Sequence, residues 1–183
     1  MFQLQAGYPK ISKTDLNSAC CMEEMFTLLY PEEDESFYVM WCDIPIRFRY
    51  RHELAKNFNE ILTMLWTLNA ESNGKLSVQI KNQLLTANLK IEWYDDSFIL
   101  HPRFSTDISE YRKYVESLNR CQRVEFEKNQ YLAEWHTLIH QVALSVNAAN
   151  TEHFDDEELN RIERLNLVDQ TIEGYGSLYH EHE

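Results

Sequence analysis

The stretch from residue 44 to residue 51 restricts the local fold more than any other part of the chain. In the letters IPIRFRYR, apolar residues alternate with arginines, so that Ile44, Ile46, Phe48 and Tyr50 interleave with Arg47, Arg49 and Arg51. Successive side chains of a strand point to opposite faces, whereas a helix repeats every 3.6 residues. The segment is therefore predicted to be a half-buried strand with a row of arginines on its outer face.

Other short segments between residues 36 and 101 support a sheet. These are SFYVMWC (36–42), KLSVQIK (75–81), LLTANLKIEW (84–93) and SFILH (97–101). The letters YDD between the last two are typical of a turn, so this region is predicted to be an antiparallel meander. Together with the arginine-bearing strand, the segments predict an antiparallel sheet of about five strands.

Apolar residues at helical spacing predict five helices around these strands. The first covers 14–30, with Thr14 as the N-cap and Pro31 as the stop. The second covers 52–69 and ends at a polar loop in which Gly74 allows a positive φ. The third follows caps at 105–107, the fourth follows a break near Asn129, and the fifth runs from the acidic residues at 155–158 to Gly174. The predicted order is α-β-β-α-β-β-β-α-α-α.

This order predicts an α+β fold with packed helices and a helix-rich C-terminal half. Because linker-like stretches and repeats are lacking, we expect a single domain over 1–183, with a meander part at 1–104 and a helical part at 105–174. Periodicity leaves open whether the helical part forms a subdomain. Residues 175–183 are expected to be a frayed tail.

The net charge limits the class of partner. Thirty Asp and Glu residues against seventeen Lys and Arg give a formal charge of -13. This charge repels phosphate backbones and anionic lipid, so we expect neither nucleic acid nor a membrane as partner. It favours cationic proteins.

The cysteines predict a reduced, cytoplasmic protein. Cys20, Cys21, Cys42 and Cys121 form no C-x-x-C motif; Cys42 lies beside Trp41 at the end of a predicted strand and Cys121 in a predicted helix, so both are interpreted as small apolar core residues. The N-terminal letters MFQLQAGYPKISK lack a basic region followed by a long apolar run, so no export signal or membrane span is expected.

The best candidate for chemistry is the sequence AEWHTLIHQ. His136 and His140 share one helical face, but threonine occupies the position of the general-base glutamate in H-E-x-x-H. The histidines are therefore interpreted as bordering the core, and His180 and His182 as part of a solvated tail. Nucleophile-elbow and phosphate-binding glycine motifs are also missing, so the sequence predicts no catalytic residue, no metal site and no cofactor.

Two acidic runs are the predicted partner-binding residues. They are Glu32, Glu33, Asp34 and Glu35 in the first run and Glu152, Phe154, Asp155, Asp156, Glu157 and Glu158 in the second. Such runs are often only solvated, but opposed to a basic surface they accelerate association and fix its register. Phe154, and Trp41 or Trp93 with Tyr94 near strand ends, are the predicted aromatic anchors.

The segments SFYVMWCDIPIRFRYRHELAKNFNEILTMLWTLN (36–69), KLSVQIKN (75–82) and ANLKIEWYDDSFILHPRF (87–104) resemble, in their layout, small acidic bacterial immunity proteins of polymorphic toxin systems. The resemblance implies a non-enzymatic protein that binds a cognate toxin tightly, with an acidic surface masking a basic active site. It transfers no binding residue to a position in this chain.

Two other functions stay open at the level of sequence. A chaperone or adaptor for a secreted effector predicts a homodimer with exposed apolar grooves. A hydrolase predicts a site assembled from scattered residues such as His136, His140 and nearby carboxylates.

Overall fold

A computed structural model of the chain describes residues 2–12, 18–149 and 151–179. The predicted α+β class is confirmed. Within the described residues the strands form two antiparallel sheets, one of three strands and one of four, where the sequence suggests one sheet of about five. Five α-helices pack with these sheets.

The first sheet has the order β1-β2-β3, with β1 at Phe2–Gln5, β2 at Ser36–Trp41 and β3 at Ile44–Arg49. Cys42 and Asp43 form a two-residue turn with φ of 46° and 68°, which suits the twist of an antiparallel hairpin. Strand β1 is absent from the sequence prediction. It is only four residues long, and its pairing with β2 depends on chain more than thirty residues away.

The second sheet contains the predicted meander. Its order is β4-β5-β6-β7, with β4 at Asn73–Lys81, β5 at Thr86–Tyr94, β6 at Ser97–Ser105 and β7 at Val124–Glu127. Strand β7 occupies the polar segment in which the sequence predicts only a helix break. That break is confirmed, and β7 fills it by pairing with the outer edge of β6.

Gly74 lies inside β4 and not in a loop with positive φ, so its predicted role is wrong. A Cβ atom at this position would lie 2.5 Å from Cζ2 and 2.8 Å from Cη2 of Trp93 on the paired strand. The Trp93 indole is fully buried and donates a hydrogen bond to the Glu71 carbonyl at 2.9 Å. Glycine is needed here because it leaves space for that ring.

The helices are α1 at Met22–Leu29, α2 at Ala55–Ala70, α3 at Arg112–Leu118, α4 at Lys128–Asn147 and α5 at Asp156–Tyr179. Helix α1 begins eight residues later than predicted, and the predicted cap Thr14 lies outside the described residues. A π-helical turn at Tyr50–Leu54 leads into α2. Helix α5 passes through Gly174, so the predicted stop there is wrong, and residues 180–183 lie outside the described part.

One apolar core joins the sheets and helices. Phe2 and Trp41 of the first sheet, Leu89 of the second, Ile61 of α2 and Trp135 of α4 line the same internal cavity. Helix α5 covers α4 and α2 from the outside, with its buried residues Leu165, Val168 and Ile172 in the same apolar cluster. The helical half thus packs on the sheets in the described residues.

A disulfide bond connects Cys42 in the β2–β3 turn to Cys121 after α3. The prediction that both are free, core-filling thiols is therefore wrong. Their Cα atoms lie 6.6 Å apart although 79 residues separate them in the sequence, and no C-x-x-C spacing signals such a pair. Cys20 and Cys21 carry free thiols.

Candidate functional site

The first acidic run lies in the loop between α1 and β2, beside basic residues of the same chain. Its exposed ion pairs are Glu32 with Lys10 at 3.6 Å, Glu33 with Arg51 at 3.8 Å and Asp34 with Arg47 at 3.4 Å. Glu35 is half-buried and accepts a hydrogen bond from the Lys10 backbone N–H at 2.7 Å. Exposed pairs of this kind add little stability, so their main effect is to offset part of the loop's charge.

The arginine row pairs with the chain's own acceptors. Arg47 donates to the Asp34 carbonyl at 2.7 Å, and Arg51, which lies on the π-helical turn and not on the strand, donates to the Pro31 carbonyl at 3.0 Å. Carboxylates of the same chain also balance these arginines, namely Asp34, Glu53 and Glu33. Because β3 is an edge strand, its charged side chains also oppose pairing with another sheet.

Arg49 makes the most buried of these pairs, with Glu53. Glu53 is 4% exposed, and its carboxylate accepts the Arg49 backbone N–H at 2.8 Å and the guanidinium at 2.7 Å. Burial by itself would raise the pKa of Glu53, but the hydrogen bonds from Arg49 outweigh it and hold the pKa below its ordinary value. This pair fastens the end of β3 to the turn before α2.

The second acidic run is partly structural. Phe154 is 6% exposed, so its ring anchors the segment to this chain's own core, and the prediction that it faces a partner does not fit its burial. Glu158 is 7% exposed; it accepts the Met22 backbone N–H at 3.2 Å and pairs with Arg161 at 2.7 Å. Asp155 caps the first turn of α5 by accepting the Glu158 N–H at 2.9 Å.

Four members of the second run remain exposed, namely Glu152, Asp155, Asp156 and Glu157. Glu157 forms an ion pair with Arg161 one turn further along α5. Acidic residues in the first turn of a helix interact favourably with its dipole, which gives part of this run a local role as well.

Helix α1 separates the two runs by no more than its own short length. Glu158 contacts Met22 at the first residue of α1, and the first run follows its last residue, Leu29. An eight-residue helix is about 12 Å long. Glu23 and Glu24 are exposed between these ends. We define the α1 acidic face as Glu23, Glu24, Glu32, Glu33, Asp34, Asp155, Asp156 and Glu157.

An exposed aromatic residue lies beside this face. Tyr8 is 97% exposed and belongs to the segment before α1, which contacts the C-terminal end of that helix where the Ser12 N–H donates to the Leu29 carbonyl at 2.8 Å. Of the predicted anchors, Trp41 and Trp93 are buried at 2% and 0%, whereas Tyr94 is 56% exposed. The sequence prediction missed Tyr8 because no apolar pattern surrounds it.

The two histidines of α4 meet a carboxylate of α5. The rings of His136 and His140 have centroids 5.6 Å apart and planes inclined by 24°. Asp169 places both carboxylate oxygens 3.2 Å from Nδ1 of His140. Sequence reasoning found the histidines but not Asp169, because only the packing of α5 on α4 brings it to them.

The outer face of the second sheet carries a groove of opposite charge. Lys90 pairs in register with His101, and Asn88 pairs with Arg103, which places these side chains in adjacent rows. They line the groove together with Gln79 of β4. The groove carries the cationic side chains of Lys90 and Arg103, and it lies on a different element from the α1 acidic face.

In the part of the chain that the structure describes, no helix is both long enough and apolar enough to cross a lipid bilayer. Comparisons of the chain with protein-family models, with curated proteins and with solved structures found no match.

Proposed function

We propose that this chain is a non-enzymatic immunity protein that binds a cognate basic bacterial toxin domain and occludes its active site with the α1 acidic face. The observation that carries the proposal is the position of two acidic segments, more than a hundred residues apart in sequence, at the two ends of the short helix α1. A charged surface assembled from distant segments can cover an area that one solvated loop cannot.

The net charge of -13 supports a cationic partner. Opposed charges accelerate the encounter of two proteins and orient them, while the affinity depends more on a few well-packed side chains. Hydrogen bonds from Arg47 and Arg51 to the Asp34 and Pro31 carbonyls, and from the Lys10 N–H to Glu35, hold the acidic loop before binding. A loop that is already ordered loses less conformational entropy when a partner binds.

Tyr8 supplies the proposed aromatic anchor. A fully exposed tyrosine beside a charged surface buries a large apolar area on binding and keeps its hydroxyl available for a hydrogen bond. We expect Tyr8→Ala to increase the dissociation rate of the complex with the partner. The association rate should change little, because the ring carries no charge.

The cellular location is part of the proposal. The predicted cytoplasmic location depends on reduced cysteines and on the missing export signal. The Cys42–Cys121 disulfide favours an oxidising compartment, because cytosolic thiols are kept reduced. Fractionation of source cells followed by alkylation of free thiols measures both the location and the state of the pair.

The test begins with a pull-down from source-cell lysate at low salt, with the partner identified by mass spectrometry and its toxicity measured with and without this chain.

The variant Glu32→Lys, Glu33→Lys, Asp156→Lys, Glu157→Lys is then compared with wild type. We expect its association rate to fall by about tenfold or more and its salt dependence to flatten.

A matched control carries Asp107→Lys, Glu110→Lys, Glu116→Lys and Glu173→Lys, which make the same change in net charge at exposed positions outside the α1 acidic face. If both variants slow association equally, net charge alone steers the partner and the assigned surface is wrong. Failure to recover a toxic partner whose activity this chain blocks contradicts the immunity function itself.

A further inference from the structure

We propose that His136, His140 and Asp169 bind one divalent transition-metal cation of the zinc class between α4 and α5. The three residues are half-buried, and each offers one ligand atom such that these atoms lie within 4.8 Å of one another. The proposal concerns metal binding alone and does not depend on the partner-binding function.

The helical spacing of the histidines provides the first two ligands. Residues four apart lie one above the other on the same helical face. The 24° angle between the rings makes them nearly parallel, so that rotation about the side-chain bonds can direct one nitrogen of each towards a common point. This is the arrangement by which one helix supplies two imidazole ligands to a metal.

Asp169 provides the third ligand from the facing helix. Ligands of tetrahedral zinc lie about 2.0 to 2.2 Å from the ion, which places neighbouring ligand atoms about 3.3 to 3.6 Å apart. The 3.2 Å between Nδ1 of His140 and the Asp169 oxygens already matches that separation. Only the His136 nitrogen has to move closer to the other two ligand atoms, and all three atoms already lie within 4.8 Å of one another.

The ligand types select the class of ion. Two imidazoles and one carboxylate suit zinc and neighbouring transition metals, whereas calcium and magnesium prefer sites built from oxygen ligands. The His140 side chain is 43% exposed and that of Asp169 is 17% exposed. Water can therefore reach the ion and complete its coordination.

A simpler interpretation is that Asp169 only hydrogen-bonds to His140 and so links α4 to α5. The two interpretations differ for His136. In the metal site it is a ligand, so its removal weakens metal binding, whereas the hydrogen bond alone requires neither metal nor His136.

The experiment uses untagged full-length protein stripped with a chelator and titrated with Zn²⁺ by calorimetry. The variants are His136→Gln, His140→Gln and Asp169→Asn, with circular dichroism to verify folding. His101→Gln is the control outside the cluster, and the double variant His180→Ala, His182→Ala removes the C-terminal histidines as competing ligands.

We expect one equivalent of Zn²⁺ to bind to the wild type and to both controls, and each cluster variant to weaken binding by about 10-fold or more, since each removes a direct ligand. Bound Zn²⁺ should also raise the melting temperature of the wild type but not of Asp169→Asn, because the ion joins two helices of the folded state. Absorption of a Co²⁺ complex gives a readout of nitrogen and oxygen ligation that is independent of stability.

Three results would overturn the proposal. They are no saturable Zn²⁺ binding, binding that survives all three cluster substitutions, and binding that disappears with His180 and His182. The last would assign the metal to the C-terminal residues.

Discussion

Removal of the Cys42–Cys121 disulfide should lower the stability of this protein more than loss of an ordinary surface contact. The bond closes a loop between residues 79 apart in the sequence. The chain-entropy relation for a loop of that length gives about 4.5 kcal/mol at 25 °C, because the crosslink restricts the unfolded chain. Domains are typically stable by only about 5 to 15 kcal/mol, so this is a substantial fraction.

The double variant Cys42→Ser, Cys121→Ser is compared with wild type by urea unfolding followed through tryptophan fluorescence. We expect a loss of about 2 to 4.5 kcal/mol in the free energy of unfolding. The double variant Cys20→Ser, Cys21→Ser is the matched control, since both residues carry free thiols, and should change stability by less than about 1 kcal/mol. A reducing agent added to the wild type should lower the free energy of unfolding by the same amount as Cys42→Ser, Cys121→Ser, without any substitution.

Two observations would refute this reasoning. Four reactive thiols in wild-type protein, denatured without reductant, would show that the bond does not form. A loss below about 1 kcal/mol in Cys42→Ser, Cys121→Ser, with the bond verified in wild type, would show that the unfolded chain gains little freedom when it is cut.

Two further expectations concern stability. Gly74→Ala should cost about 1 to 3 kcal/mol in the free energy of unfolding, because its Cβ would overlap the Trp93 ring. Gly174→Ala on helix α5 should instead stabilise by about 0.5 to 1 kcal/mol, because its added Cβ would enter open space. Equal effects of the two substitutions in thermal unfolding would contradict the packing explanation. Burial raises the pKa of the Tyr30 phenol to about 12, so the folded state keeps this proton above pH 10, where the unfolded state has released it. The free energy of unfolding should therefore fall as the pH rises from 10 to 12. Ultraviolet titration of Tyr30→Phe should show one late-ionising phenol fewer than that of the wild type.

The middle of the chain could be predicted because its information is local. Strands β3, β4 and β5 alternate apolar and polar residues over enough positions to identify their period, and β2 and β6 are short runs rich in aromatic and β-branched residues. Strands β1 and β7 have only four residues, and each exists because it pairs with a longer strand, Phe2 with Trp41 and Val124 with Leu100. Nothing in so short a pattern distinguishes a strand from a loop.

The candidate sites were predictable as residue types but not as arrangements. Both acidic runs and the pair His136 and His140 can be read from the letters. The letters do not show whether a given residue of an acidic run faces solvent, because Glu158 and Phe154 in the second run are both buried. A charge run in the sequence gives only the residue types of a segment, whereas the burial of each residue depends on which helix packs over that segment.

The sequence by itself determined the α+β class, the sign of the surface charge and the absence of familiar catalytic motifs, since each depends on composition or on spacing within a few residues. Only the tertiary structure decided that α1 joins the two acidic runs, that Asp169 meets the histidines, and that Cys42 reaches Cys121. These pairs are distant in sequence, so no local pattern encodes them. They follow from burying the apolar faces of two sheets and five helices around one core.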